Sequence, residues 1–418
     1  MHFHFSFFSS ILLIFFSQGL AFSFLLLKKG ILLLSRPCKW LSFFVFICSL
    51  YLLPWMLGFA GWYSIQPYRN IMFYITFQQL FLIGPAIFFY TKSLLIPDYK
   101  FEAKDWMHFV PAAAYLIYRM VISIVDVLLL NEPFFYADGK DKNLDNWYQI
   151  AGFISMLVYL LLSLRYYSFY KKIIFQTLSF ADTLIFSWVR KYLLAFLLMQ
   201  ILWLLFFCFY PQWGNFKEKW WYYLSFSVLL YYIGITGYAN NIKSLVGFKI
   251  PGFKNRPVYL LDNNYSHFEH ENLIEVEEKD LNPSNNDPEL EDWKTKIRDL
   301  IEKEKLYSNQ NLTLLDVAKK LNTNQTLVSK MINKGFGMNF NDFINEYRVK
   351  AVMDLLKQGE HKTHNLLGIS LDCGFNSKTT FNRCFKKYTG LSPKQFAENL
   401  DKENPGKAGI ITKTGAKS

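Results

Sequence analysis

Apolar residues run nearly unbroken through the first half of the chain, then, past an acidic stretch, recur only at helical spacing. Seven segments, at about 6–27, 40–60, 71–90, 107–130, 147–167, 192–210 and 220–238, are dense in Leu, Phe, Ile and Tyr. Stretches of about 17 to 25 mostly apolar residues are long enough to cross a bilayer as helices. Pro85 and Pro111 blur the ends of the third and fourth segments. The pattern predicts an all-α chain in four parts. A seven-helix transmembrane bundle occupies 1–250, an acidic flexible connector 251–292, a cytoplasmic all-helical domain 293–400 and a disordered tail 401–418.

In the last third, Trp293, Ile297, Leu300, Ile301 and Leu306 keep the spacing of one helix face. LTLLDVAKKLNTNQTLVSKMINK, residues 312–334, then reads as a short helix, a break and a second helix. Leu315, Val317, Ala318 and Leu321 form the stripe of the first, and Leu327, Val328, Met331 and Ile332 that of the second. Asn322 to Gln325 supply turn and N-cap chemistry between them. A longer helix follows from about Phe340 to Lys357, with Phe343, Ile344, Tyr347, Val349, Val352, Leu355 and Leu356 as its apolar set. Residues 366–396 repeat the helix–break–helix pattern. Ile369, Leu371 and Cys373 pack the first helix, and Phe381, Cys384 and Phe385 pack the second. Gly374 can take the left-handed backbone of a tight turn, and Asn376 or Ser377 can cap the helix starting near Lys378. Two helix-turn-helix units joined by a spacer helix are the expected architecture.

Charge sharpens the division. Residues 262–292 carry eleven acidic side chains against Lys279 alone, a net of −10, whereas residues 293–400 carry eighteen Lys/Arg against ten Asp/Glu, a net of +8. A positive field on a compact domain suits a polyanion; the acidic stretch, rich in Asn and Pro, reads as a solvated tether. Loop charges set the orientation. Lys28, Lys29, Arg36 and Lys39, then Arg165, Lys171, Lys172, Arg190 and Lys191 against only Asp182, then Lys243, Lys249, Lys254 and Arg256, fall on one side. The intervening loops 61–70, 131–146 and 211–219 sum to about zero, and loop 91–106 is neutral. The N-terminus is thus expected outside and the C-terminal third inside. The start lacks Lys or Arg while four basic residues follow the first apolar run, so residues 1–27 read as a retained helix rather than a cleaved signal.

Candidate chemistry is sparse. The five cysteines and seven histidines show no metal-ligand spacing, and no paired acid, nucleophile or nucleotide loop stands out. No metal, cofactor or catalytic residue is expected. Trp40, Trp62, Trp147, Trp220 and Trp221 read as interface anchors. Arg119 and Asp126 stand seven residues apart within one span, so one helix can present both inward, as a structural pair or towards a sensed ligand.

The polar faces of the two paired helices carry the recognition chemistry. Gln325, Thr326, Ser329, Lys330 and Lys334 face out in the first unit, and Ser377, Lys378, Thr379, Asn382, Arg383, Lys386 and Lys387 in the second. Asn and Arg can bond base edges in pairs, and lysines hold phosphates. Asn382, Arg383, Thr326 and Lys330 are the expected base readers.

The motif DCGFNSKTTFNRCFKKYTGLSPKQF resembles the signature of the AraC/XylS family of transcriptional regulators almost throughout, and LTLLDVAKKLN with VSKMINKGFGMNFNDFINEYRV keeps its pattern. The resemblance covers about residues 293–398. It implies a double helix-turn-helix domain in which Lys330 and Arg383 stand at recognition-helix positions. Leu366–Gly368 departs from the family's pattern, and Gly368 is expected to loosen its helix. Multi-spanning N-terminal regions like this one, with its LYLLPWMLGFAGWY stretch, occur on some bacterial relatives. The implied protein is a transcription regulator of the bacterial inner membrane whose partners are double-stranded DNA, the bilayer and an unidentified signal. Dimerisation through the bundle would double the readers. The competing expectation is a membrane receptor or transporter whose cytoplasmic helical domain binds a protein.

Overall fold

The computed structural model describes residues 4–96, 99–184, 187–209, 218–239 and 288–403. Most of the expected connector, with Lys254 and Arg256, the preceding Lys243 and Lys249, and nearly all of the expected tail lie outside these. Every element among the described residues is helical, and the only extended pairing is an isolated bridge between Leu178 and Thr313. The chain divides into two compact units, residues 1–168 with 187–263 and residues 169–186 with 264–418.

The first unit contains α1 (Phe7–Leu32), α2 (Arg36–Phe59), α3 (Tyr68–Tyr74), α4 (Leu80–Leu95), α5 (Val110–Ile124), most of α6 (Asn146–Thr177), α8 (Ser187–Phe209) and α9 (Lys219–Ala239). Among the described residues, five stretches are long and apolar enough to cross a membrane. These are α1, α2, Ala103–Leu130, α6 and Trp188–Phe206, while α4 is a shorter apolar helix. Small residues let α1 and α2 approach closely. The Ser23 hydroxyl donates to the Ser42 carbonyl at 3.0 Å, and the Ser42 hydroxyl to that of Ser23 at 2.7 Å.

The expected third span, 71–90, is not one helix. It breaks between α3 and α4, and side chains satisfy the interrupted backbone, as an apolar setting demands. The Tyr148 hydroxyl donates to the Gln78 carbonyl at 2.8 Å and accepts from the Leu80 amide at 3.0 Å. Arg119 and the Tyr136 hydroxyl both donate to the Phe73 carbonyl, and Ser123 donates to that of Tyr74.

The break also corrects the expected Arg119–Asp126 pair. Both side chains are buried, but they do not meet. Two helical turns separate them by about 10 Å along the axis, beyond ion-pair reach. Arg119 serves the carbonyl end of α3, while Asp126 accepts from the Tyr74 hydroxyl and the Phe135 amide, each at 3.2 Å.

The second unit holds α7 (Ala181–Leu184), α10 (Pro288–Lys303), α11 (Leu314–Lys320), α12 (Gln325–Phe336), α13 (Phe340–Lys357), α14 (Leu366–Asp372), α15 (Lys378–Thr389) and α16 (Pro393–Glu403). Helix α10 therefore starts before Trp293. Helix α13 joins two separate cores: Phe340, Phe343 and Ile344 pack with α10, α11 and α12, while Val349, Val352 and Leu356 pack with α14 and α15. Two positions differ from the expected stripes. Leu314, not Leu315, is buried on α11, because Leu314, Val317 and Ala318 make the i, i+3, i+4 set. Leu371 is exposed on α14, where Ile369 and Cys373, four apart, share the inward face.

Candidate nucleic-acid interface

Each short helix pair is set by local capping. The Thr313 hydroxyl accepts from the Asp316 amide at 3.2 Å, and the Asp316 carboxylate accepts from the Thr313 amide at 2.9 Å, which starts α11. Asn324 starts α12 by accepting from the Leu327 amide at 2.7 Å. In the second unit Asn365 accepts from the Gly368 amide at 2.6 Å, so α14 forms from Leu366 despite that glycine. Ser377 caps α15 by accepting from the Thr380 amide at 3.1 Å, while Asn376 instead donates to the Gln310 carbonyl at 3.2 Å. Gly374, between the helices, has φ +94°, and a Cβ there would lie 2.2 Å from the Tyr307 carbonyl oxygen. Only glycine fits.

Capping in turn fixes which side chains of α12 and α15 face out. Thr326, Lys334, Lys378, Thr379, Asn382, Arg383, Lys386 and Lys387 are exposed, and Gln325, Ser329, Lys330 and Ser377 are half-buried. Of the expected base readers, Thr326 thus stands exposed on α12 and Asn382 on α15, and Lys378 is exposed at the start of α15. Ser377 is engaged as the cap, and Ser329 lies 3.4 Å from the Asn333 amide nitrogen. Lys387 bends back to Asp342 on α13 at 3.0 Å. Arg383 is ion-paired with Asp182.

That last contact belongs to a group of residues the periodicity did not mark. Arg348, Asn341 and Asn345 on α13 are fully buried polar side chains, of which the first two reach residues 178–179. Arg348 donates to the Ser179 carbonyl at 3.1 Å, the Ser179 hydroxyl at 2.9 Å, and the carbonyls of Tyr307 at 2.8 Å and Asn309 at 2.9 Å. Asn341 donates to the Ser179 carbonyl at 2.9 Å and is itself held by Asn345 at 3.1 Å. The Ser179 amide donates to the Leu312 carbonyl at 3.1 Å. Burial lowers Arg348 to about 10, so it keeps its charge at neutral pH. Burial raises the Asp182 carboxyl, with Arg383 pulling against that. The one sequence signal was Asp182 itself, the lone acid among five basic residues of its loop.

Comparison with known proteins agrees with this geometry. Residues 317–399 match the sequence profile of a family described as a helix-turn-helix domain. Over 90 residues the chain is 30% identical to the Msm operon regulatory protein of Streptococcus mutans, covering 22% of this chain and 31% of that protein. Over 102 residues it is 28% identical to an HTH-type transcriptional regulator of Staphylococcus aureus strain COL, covering 24% of this chain and 13% of that protein. The chain thus spans less than a third of the length of these relatives. No solved structure matches it. The C-terminal segment is an AraC-type helix-turn-helix domain.

Proposed function

We propose that the chain is a membrane-bound, sequence-specific DNA-binding regulator of transcription, in which apolar helices of residues 7–239 lie in a bacterial inner membrane and bias promoter binding. The observation that carries this is the pair of capped helices, α12 and α15, mounted on the single helix α13 with Asn382, Arg383 and Lys378 on an exposed face. A helix so presented fits a major groove. Spacing the two readers along one rigid helix suits successive grooves on one side of a duplex. The loop charges support an outside N-terminus and an inside C-terminal unit, and the five long apolar stretches support membrane insertion. The bundle is the sensor of this reading, and an association of two bundles would present four readers.

The test is selection of duplexes from a random pool by the full chain in detergent, followed by a salt titration and an in-cell occupancy map with and without Arg383→Ala. Expected are one enriched motif, affinity falling steeply with added salt, and loss of occupancy in the variant. Affinity for the enriched duplex no greater than for random DNA would refute the reading and favour a protein partner for the C-terminal unit.

A further inference from the structure

Segment 178–182 comes from the loop between two apolar helices, yet it forms part of the second compact unit. Leu178, Ser179, Phe180 and Ala181 are all buried there. Its two ends are held differently. At Ser179, two fully buried polar side chains of α13, Arg348 and Asn341, and the Leu312 carbonyl converge on one residue. Arg348 could not be buried without those acceptors, since an unpaired buried guanidinium is prohibitively costly. At Asp182 there is one ion pair, to an Arg383 side chain that is 54% exposed, whereas the Asp182 side chain is only 7% exposed. The other charges facing Asp182 are Asp342 and Lys387, which pair with each other.

We propose that residues 178–182 are an intramolecular ligand of the DNA-reading unit, with Ser179 as a fixed anchor and Asp182 as a latch that competes with DNA for Arg383. The inference rests on the regulator reading, because it needs Arg383 to face DNA. A carboxylate mimics the phosphate or base acceptor that a guanidinium otherwise binds. While latched, Arg383 has its charge neutralised and its donors turned away from a groove, and Asp182 adds a negative charge where a phosphate would approach. Residues 178–182 are covalently continuous with α6, so strain applied to that helix is delivered to the latch. The anchor keeps the latch in register when it opens, making rebinding intramolecular.

Four full-length chains in detergent test this: wild type, Asp182→Asn, Arg383→Gln and the double variant, each titrated with a labelled duplex selected on the wild-type chain. Asp182→Asn is expected to tighten binding about threefold to tenfold and to change nothing in the Arg383→Gln background. Unchanged or weaker binding by Asp182→Asn, or an equal gain in both backgrounds, overturns the latch. A wild-type chain that enriches no duplex from the random pool refutes the regulator reading itself, and the latch falls with it. Hydrogen exchange on the wild-type chain needs no variant. With DNA, amides 181–184 are expected to exchange faster while the Ser179 amide stays protected. Unchanged exchange at 181–184 overturns the latch, and loss of protection at Ser179 overturns the anchor.

Discussion

Asp182 and Arg383, 201 positions apart in sequence, form an ion pair in which the carboxylate is buried and the guanidinium is half in solvent. The contact places an acid of an inter-helix loop on a candidate base reader. It gives the C-terminal unit an internal competitor for whatever α15 binds. Beneath it, Arg348 ties the same loop to α13, and the two arginines differ in what their removal should do.

Replacing Arg348 with Met leaves the Ser179, Tyr307 and Asn309 carbonyls short of a donor. The expected cost is about 3 kcal/mol of stability in the C-terminal unit, read as lost hydrogen-exchange protection along α13. Lys350→Met, which removes an exposed pair with Glu346, should cost under about 0.5 kcal/mol. Equal effects would remove the carbonyl clamp from the account.

Gly374 and Gly390 both adopt positive φ, at +94° and +76°, but a Cβ at Gly390 meets open space while one at Gly374 strikes the Tyr307 carbonyl. Gly390→Ala should therefore cost only the backbone term, about 1 to 2 kcal/mol. Gly374→Ala should exceed about 3 kcal/mol, because backbone must shift as well. Denaturant unfolding of the two variants compares them, and a smaller loss at Gly374 would contradict the close approach.

In the apolar unit, Tyr148→Phe removes the hydroxyl that serves both sides of the break between α3 and α4. A loss of about 2 kcal/mol is expected in detergent. Tyr115→Phe, which loses a hydroxyl 3.3 Å from Asn143 but keeps the ring stacked on Tyr148, should cost under about 1 kcal/mol. Thermal unfolding that ranks them in the opposite order would argue against the bridged break.

Burial raises the Asp141 carboxyl from 3.8 to about 6, against the opposing pull of the Asn143 amide and the Tyr63 hydroxyl. The folded state then holds this proton more tightly than the unfolded chain does. The associated stabilisation is complete below about pH 4 and is lost as pH rises through about 6, up to about 3 kcal/mol in all. Asp141→Asn should flatten thermal stability across that window. A pH profile unchanged by the substitution would place the titration elsewhere.

Lys378 opens α15 and is exposed, whereas Lys387 is tied to Asp342. Lys378→Ala should lower the slope of log affinity against log salt by about one. Lys387→Ala should lower it by less, since its charge is already matched. Equal slopes would show that DNA draws Lys387 away from Asp342.

Much of the C-terminal unit was legible because its determinants are local. Spacing within one helix turn located α12, α13 and α15, and the turn chemistry of Gly374 and Ser377 marked the second break. The missed details were equally local in cause: of the adjacent apolar residues Leu314 and Leu315, Leu314 keeps the i, i+3, i+4 spacing with Val317 and Ala318 and is the one buried. Among the proposed readers, exposure followed from the helix face, but pairing did not. Asp342 took Lys387 and Asp182 took Arg383 through contacts that no spacing rule describes.

The amino-acid order alone settles that one half is apolar and helical, that the other carries two capped helix pairs, and that basic residues crowd the second. These depend on neighbours within a few positions, where hydrophobic periodicity and capping act. Tertiary packing decided that the third apolar stretch breaks, that Arg119 serves the Phe73 carbonyl and the Thr76 hydroxyl rather than Asp126, and that residues 178–182 join the second unit. Each of these matches a buried polar group to a partner far along the chain. Burial makes such matches obligatory, but the partner is chosen only when the helices meet.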